Sequence, residues 1–321
     1  MKNIQHWADA NNQLGTHTIQ VVAGDVGTTR SRLVWFTHKL HHPAVVRFET
    51  TYMRTDFTSV SDLVYQFIAD AGHSVRVPDR VVLALPTVVD VVALKRDLAI
   101  ADVRIVSACE AAAMGVATLA KADYRVLNHG LVRLGGVRVV MGLGLAWMQV
   151  DADGVYRIHP TEAGHIDFAP ADELQMQLLV WLRARYAHVA WARILSGAGL
   201  SAVHEFLTLR LYKQGATVLD AAQIHSLALA GNALARQAVQ LLVDIYAAWV
   251  GNVAMLYQPQ GGLYIAGGMA IHLQAWMADR RFMQICTAKG RMADLVQKTP
   301  IYLVTNPRLG LQGVMQMAMG S

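Results

Sequence analysis

Short apolar runs fill the first hundred residues, and helical spacing takes over in the second half of the chain. Ile19 to Ala23, Ser31 to Phe36 and Val45 to Tyr52 read as strands, while Arg80 to Ala84 and Val103 to Val106 read as buried ones. Between them, Ser59 to Ala71 places Leu63, Val64, Phe67 and Ile68 on one helical face. Strands alternating with helices predict a parallel or mixed sheet with helices packed on it. The segment Ala111 to Ala120, rich in small residues, predicts a closely packed helix after the strand that ends at Ser107-Ala108-Cys109-Glu110. Ligands in open α/β sheets sit at such strand ends.

A second β-rich block covers Gly135 to Met141, Leu145 to Val150 and Gly154 to His159. Helical spacing then runs through Leu174 to Tyr186, Gly199 to Leu211, Ala221 to Ala230 and a long segment from Ala233 to Tyr257. The strand Ile301 to Val304 and a final helix after Gly313 complete the pattern, and residues 1–17 carry no periodicity and read as a short arm.

Three glycine turns punctuate the strands. Gly24-Asp25-Val26-Gly27-Thr28-Thr29 is either an ordinary hairpin loop or a phosphate cradle, with backbone N–H groups and the hydroxyls of Thr28 and Thr29 toward an anion and Asp25 serving magnesium. Gly142-Leu143-Gly144 joins two strands and is either a second phosphate loop or a hairpin using glycine for conformation alone. At Ala266-Gly267-Gly268 a strand runs into a helix, so the backbone can either approach a flat ligand closely or simply pack helix on strand.

The most concentrated polar chemistry lies at Glu162-Ala163-Gly164-His165-Ile166-Asp167-Phe168-Ala169-Pro170. Glu162 and His165 are suited to hydrogen-bonding a polyhydroxylated ligand, to acid or base work, or to a local hydrogen-bonded network. The Ala-Gly pair between them and Pro170 after them favour a loop over the helical Glu-x-x-His of a metal-binding bundle.

Composition narrows the function classes. The 321 residues suffice for two lobes with separate cores. Lys and Arg exceed Asp and Glu by five, giving a pI near 9.3, but the basic residues are dispersed in pairs such as Lys95-Arg96 and Arg280-Arg281. No basic face or reading helix marks a nucleic-acid binder. The apolar stretches Val139 to Val150 and Leu241 to Tyr257 are too short for a membrane span or are interrupted by Asp244 and Asn252. Two cysteines, Cys109 and Cys286, and an opening Met1 to Asp9 without an apolar run predict a soluble, cytoplasmic protein.

Taken together, the order of the three glycine turns, the Glu162 to Pro170 stretch, Ile194-Leu195-Ser196-Gly197-Ala198-Gly199-Leu200, Gly261 to Met269, Lys289-Gly290-Arg291 and Leu309 to Gly313 resembles the bacterial-type glucokinases of the hexokinase-like superfamily. The resemblance implies an α/β protein with the two-lobed actin-like ATPase (ribonuclease H-like) fold. It implies a small α/β lobe of residues 18–110 plus 304–321, a larger α+β lobe of 111–303, and a cleft between them. It further implies glucose and ATP with magnesium as ligands and a homodimer as the assembly. Glu162, His165 and Ser107 then face the sugar. Asp25, Gly27, Thr28, Thr29, Gly142 and Gly144 face the phosphates, with Asp25 toward the metal, and Gly267 and Gly268 face the nucleoside.

The same resemblance exposes departures. The family's general base is an aspartate in an Asn-Asp pair, and Ser107-Ala108 stands there. A positioned carboxylate is worth roughly 10²- to 10⁴-fold in proton transfer, and alanine supplies none of it. Ala192 replaces a second sugar-contacting glutamate, Thr28 a loop glycine, Arg30 an asparagine and Met141 a loop threonine, while Ala93-Leu94-Lys95-Arg96 lacks the family's Thr-Asn pair. Glu110, two residues beyond Ala108, is expected to point elsewhere, and Arg32 matches a structural arginine. A glucokinase with impaired transfer, or a catalytically silent sugar- or nucleotide-binding relative, is the resulting expectation.

Overall fold

A computed structural model describes residues 18–72, 77–86, 89–142, 144–212 and 218–320. The expected arm at 1–17 lies outside them. The chain divides into two compact units, one running to Thr118 and resuming at Arg308, the other covering Leu119–Pro307.

The first unit is built on a five-stranded sheet in the order β3-β2-β1-β4-β5, formed by β1 (Ile19–Val26), β2 (Arg30–His38), β3 (Val45–Met53), β4 (Arg80–Leu85) and β5 (Asp102–Ser107). β1, β2 and β3 pair antiparallel as successive hairpins, whereas β4 and β5 run parallel to β1. Alternation along the strands sorts the side chains into two cores. Val22, Leu33, Trp35, Val81 and Leu83 pack with Leu63, Val64 and Phe67 of helix Val60–Asp70 and with Leu94 and Leu98 of helix Val91–Leu98. On the opposite face Val21, Ala23, Val34, Phe36 and Val82 meet Ala111 of helix Ala108–Val116 and Leu311, Val314 and Ala318 of the closing helix Leu309–Met319. These last two helices approach so closely that a Cβ on Gly313 would overlap the Ala111 carbonyl oxygen. Arg80 ties the end of the chain to the sheet, donating from Nη1 to the Ala318 carbonyl at 2.7 Å and from Nε to Asp102 at 2.7 Å.

The second unit carries a six-stranded mixed sheet, β6-β11-β10-β7-β8-β9, from β6 (Tyr124–Asn128), β7 (Arg138–Met141), β8 (Leu145–Val150), β9 (Tyr156–Thr161), β10 (Gly262–Ile265) and β11 (Ile301–Val304). Its core face, with Val139, Met141, Leu145, Leu263, Ile265, Ile301 and Leu303, packs with the helix Ala233–Tyr257, which is buried along most of its length. That helix is long and apolar enough to cross a membrane by length and composition, yet 78% of its most apolar window is buried in the protein. Asp244 and Asn252, which interrupt its apolar run from Leu241, are satisfied internally. Asp244 accepts from Arg281 at 2.9 and 2.7 Å, and Asn252 accepts from Lys289 Nζ at 2.8 Å.

One helical expectation shifts and one helix is new. The helix expected at Ala111 to Ala120 spans Ala108–Val116, because Ser107 and Glu110 form a capping box that starts it three residues earlier. Helix Val91–Leu98, unread in the sequence, is short and begins with two β-branched residues, but its N-cap Asp90 accepts from the N–H groups of Val92 and Ala93.

Candidate functional site

In the first unit, Asp25 sits near the end of β1 opposite Arg32 of β2. Its carboxylate lies against the first turn of the closing helix, where a Cβ on Gly310 would overlap Asp25 Oδ2. Burial raises the pKa of this carboxyl above the ordinary range, and the Arg32 guanidinium partly offsets that rise. The turn itself is a two-residue hairpin loop closed by the Gly27 N–H donating to the Arg30 carbonyl at 3.0 Å. The Gly27 N–H is therefore used within the hairpin. Thr28 and Thr29 are exposed, with the Thr29 carbonyl accepting from Arg54 N–H at 2.8 Å. Neither threonine has a positive φ, so the loop holds its shape without glycine at positions 28 and 29.

At the end of β5 the chain turns into helix Ala108–Val116. Ser107 Oγ accepts from Glu110 N–H at 3.1 Å, and Glu110 Oε2 accepts from Ser107 N–H at 2.8 Å. Glu110 is bent back onto the helix start and its carboxylate caps the Ser107 amide. Ala108, the first helical residue, is exposed and presents only a methyl group.

In the second unit two of the glycine turns come together. β7 and β10 are parallel neighbours with Met141 beside Ile265, and Ala266 N–H donates to the Met141 carbonyl at 2.8 Å. A Cβ on Gly142 would lie 2.9 Å from the Ala266 carbonyl oxygen, so only glycine fits that approach. Gly142 N–H donates to the Gly144 carbonyl at 2.9 Å, and Leu143 lies outside the described residues. Gly267 has φ 99° and ψ 172°, a conformation open essentially to glycine alone. Among the described residues, nothing beyond the adjoining backbone lies within 4 Å of where a Cβ on Gly267 or Gly268 would stand, so there is open space beside this turn. Met141 is buried in the core, so its side chain does not join the turn.

Glu162 precedes and His165 ends a 3₁₀ turn, Ala163–His165, directly after β9. Their side chains are 91% and 72% exposed and stand 3.8 Å apart. The loop beneath them is firmly seated. Thr161 Oγ1 donates to the Leu145 carbonyl at 3.0 Å and accepts from Ala163 N–H at 3.3 Å. Ala163 and Phe168 are buried, and Phe168 meets Trp191 edge to face at 5.3 Å. Helix Trp191–Ile194, which carries Ala192, packs against this turn. Ala192 therefore lies on the element next to the turn that carries His165. Among the described residues no three His, Cys, Asp or Glu side chains come together as a metal centre.

The remaining motifs are structural. Ser196 Oγ accepts from Gly199 N–H at 3.0 Å near the start of helix Gly197–Tyr212. Lys289 Nζ donates to the Ala248 carbonyl at 3.0 Å and to Asn252, and burial lowers its pKa. Arg308 Nη2 donates to Glu49 at 2.6 Å, tying the closing segment to β3. Sequence reasoning missed the Ser107 to Glu110 cap, although Ser-x-x-Glu before an alanine run is its signature.

Solved structures that share this architecture include glucokinases and a ROK family transcriptional regulator. A glucokinase from an Antarctic psychrotroph superposes with a TM-score of 0.76 at 23% identity, covering 95% of this chain and 100% of that one. A glucokinase from Balamuthia mandrillaris solved with glucose gives 0.74 at 16% identity, covering 98% and 99%. A ROK family glucokinase from Streptomyces griseus solved with glucose and AMPPNP gives 0.57 at 14% identity, covering 94% and 100%. The two sheets and their helices thus form the actin-like ATPase fold of these kinases.

Sequence places the chain more narrowly. The family model described as Glucokinase matches residues 22–321. Glucokinases of Synechocystis sp. and Trichormus variabilis are each 30% identical to it, covering 94% and 91% of this chain and 98% and 97% of theirs. The chain belongs to the glucokinase family.

Proposed function

We propose that this protein binds glucose and ATP with magnesium, and that it transfers phosphate to the terminal hydroxyl of glucose far more slowly than a glucokinase with its catalytic base. Family membership supports the substrate pair. The observation that carries the impaired transfer is the β5 strand end, where Ala108 presents a methyl group and the nearby Glu110 carboxylate is held in the helix cap.

In this reading Glu162 and His165 hold sugar hydroxyls, accepting and donating hydrogen bonds with exposed side chains on a rigid loop. Ser107 keeps its hydroxyl proton for a further bond, because its oxygen acts as acceptor toward Glu110 N–H. The paired turns at Gly142, Gly144, Gly267 and Gly268 receive the nucleotide on backbone, and Thr28 and Thr29 offer hydroxyls to phosphate.

Asp25 fits a magnesium ion. It is a single carboxylate whose burial disfavours its charge, and a hard cation that keeps most of its water and takes one protein carboxylate would relieve that cost. When bound, magnesium would neutralise charge on the phosphate oxygens. The sugar hydroxyl, with a pKa far above neutrality, must still lose its proton, and no described carboxylate at the β5 end is placed to take it. In the limit the protein recognises sugar and nucleotide without transfer and acts as a soluble, cytoplasmic regulator, as a homodimer like those its family resemblance implies.

Purified protein given glucose, ATP and magnesium tests this reading. Glucose and ATP are expected to bind by calorimetry. Glucose 6-phosphate formation is expected at least 100-fold below the roughly 1–100 s⁻¹ of working kinases. Turnover inside that range would contradict impaired transfer, and absence of glucose binding would contradict the sugar site.

A further inference from the structure

The loop bearing Glu162 and His165 is anchored at one end by Thr161 and Ala163, and at the other by a pairing with the segment before helix Trp191–Ile194. Phe168 N–H donates to the Val189 carbonyl at 2.9 Å, and Trp191 N–H donates to the Ile166 carbonyl at 3.1 Å, making an antiparallel bridge between Asp167 and Ala190. Under the bridge, Phe168 packs on Trp191, which stacks on Trp249 at 4.8 Å. Over it, His188 Nε2 lies 2.7 Å from Asp167 Oδ1.

That outer bond joins two chain segments 21 residues apart, and it is short for a pair 55% and 86% exposed. An exposed pair adds little to global stability. Its effect falls on the loop it closes, since Asp167 is two residues from His165 and the bridge has only two backbone bonds. Either charge state of His188 serves, because a neutral imidazole with its proton on Nε2 still donates to the carboxylate.

We propose that Asp167 and His188 are positioning residues, a surface clamp that fixes the 162–168 loop against helix Trp191–Ile194 so that Glu162 and His165 meet a sugar in one arrangement. This rests on the reading of Glu162 and His165 as sugar contacts. The clamp touches no ligand itself.

The test pairs amide hydrogen exchange of residues 163–168 with glucose and ATP titrations on the intact protein. His188→Ala and Asp167→Ala are expected to speed exchange in that segment and weaken glucose binding about fivefold, the scale of one polar contact. ATP affinity should stay unchanged, and Tm should stay within about 2 °C. His188→Gln, which can still donate to Asp167, is expected to recover most of both losses. Exchange and glucose affinity unchanged in His188→Ala would overturn the proposal, as would a His188→Gln variant as impaired as His188→Ala. If the wild type binds no glucose while His188→Ala alone exchanges faster, the clamp stands and the sugar site falls.

Discussion

At the ends of β7 and β10 the candidate ligand surface is made of backbone, whereas at the end of β5 it would have to be made of a side chain. The Gly142 and Gly267 turns keep their form because the sheet requires it. β10 lies beside β7, Gly142 abuts the Ala266 carbonyl, and Gly267 holds φ at 99°. Losing any of these would cost the fold. The β5 end places no such demand on position 108. Its geometry is set by the Ser107 and Glu110 cap, and alanine is a good first helical residue. A catalytic carboxylate there can disappear without structural penalty, so a binding scaffold can outlast its chemistry.

Substitutions can break that contrast or sharpen it. The largest effect is expected from Gly313→Val, where side-chain atoms would meet the Ala111 carbonyl with no flexible neighbour to yield. Overpacking of this kind costs about 1–3 kcal/mol or more, and a chemical melt should show at least the upper end. Gly267→Val comes next. Backbone strain costs on the order of 1–3 kcal/mol, and the side chain would fill the open space above the turn. ATP affinity by calorimetry should fall more than tenfold, and unchanged ATP binding would remove this turn from the nucleotide site.

Asp25→Asn gives a smaller, pH-dependent effect. The folded pKa of Asp25 is raised by burial, so between the unfolded and folded values the native state holds more protons than the unfolded one. Its contribution to stability therefore falls as pH rises through that window and stays lowered above it. The asparagine variant should melt higher than wild type at neutral pH, with the gain vanishing below about pH 4, while losing magnesium-dependent nucleotide affinity. A variant that melts lower at neutral pH would show that the carboxylate is stabilised rather than strained. Glu110→Gln should change least. Glutamine serves a capping box as glutamate does, so melting and residual turnover should both match wild type. A loss of turnover of about 100-fold would make Glu110 the base after all.

Much of the fold was legible in the chain. The helix Ala233–Tyr257 and the strand Ile301–Val304 fall where apolar spacing puts them, and the strands of the first sheet differ from their sequence-read bounds by a few residues. Helix Val91–Leu98 was hidden because its opening Val91-Val92 favours a strand and Val92 is 77% exposed. The site was legible only in parts. Asp25 and Glu162 stand out as acids within two residues of a glycine, but the nearness of Gly142 to Ala266 follows from the order of strands, which sequence spacing does not give. The same holds for Asp167 and His188, whose pairing depends on a bridge between distant loops. In the first loop, meanwhile, the Gly27 N–H closes the hairpin on the Arg30 carbonyl, a bond that residue spacing alone does not specify.

The central claim is that the scaffold binds both substrates and that the missing proton acceptor at position 108 is what chiefly limits transfer. Ser107→Asn with Ala108→Asp is the direct test, because asparagine caps a helix as well as serine does and an aspartate in the first turn suits the helix dipole, so the strand end should keep its shape. Glucose 6-phosphate formation should be measured for wild type and double variant under the same glucose, ATP and magnesium. A rise of about 100-fold or more over a nearly silent wild type is the predicted result. Equal rates in the two proteins, with both substrates bound, would contradict it.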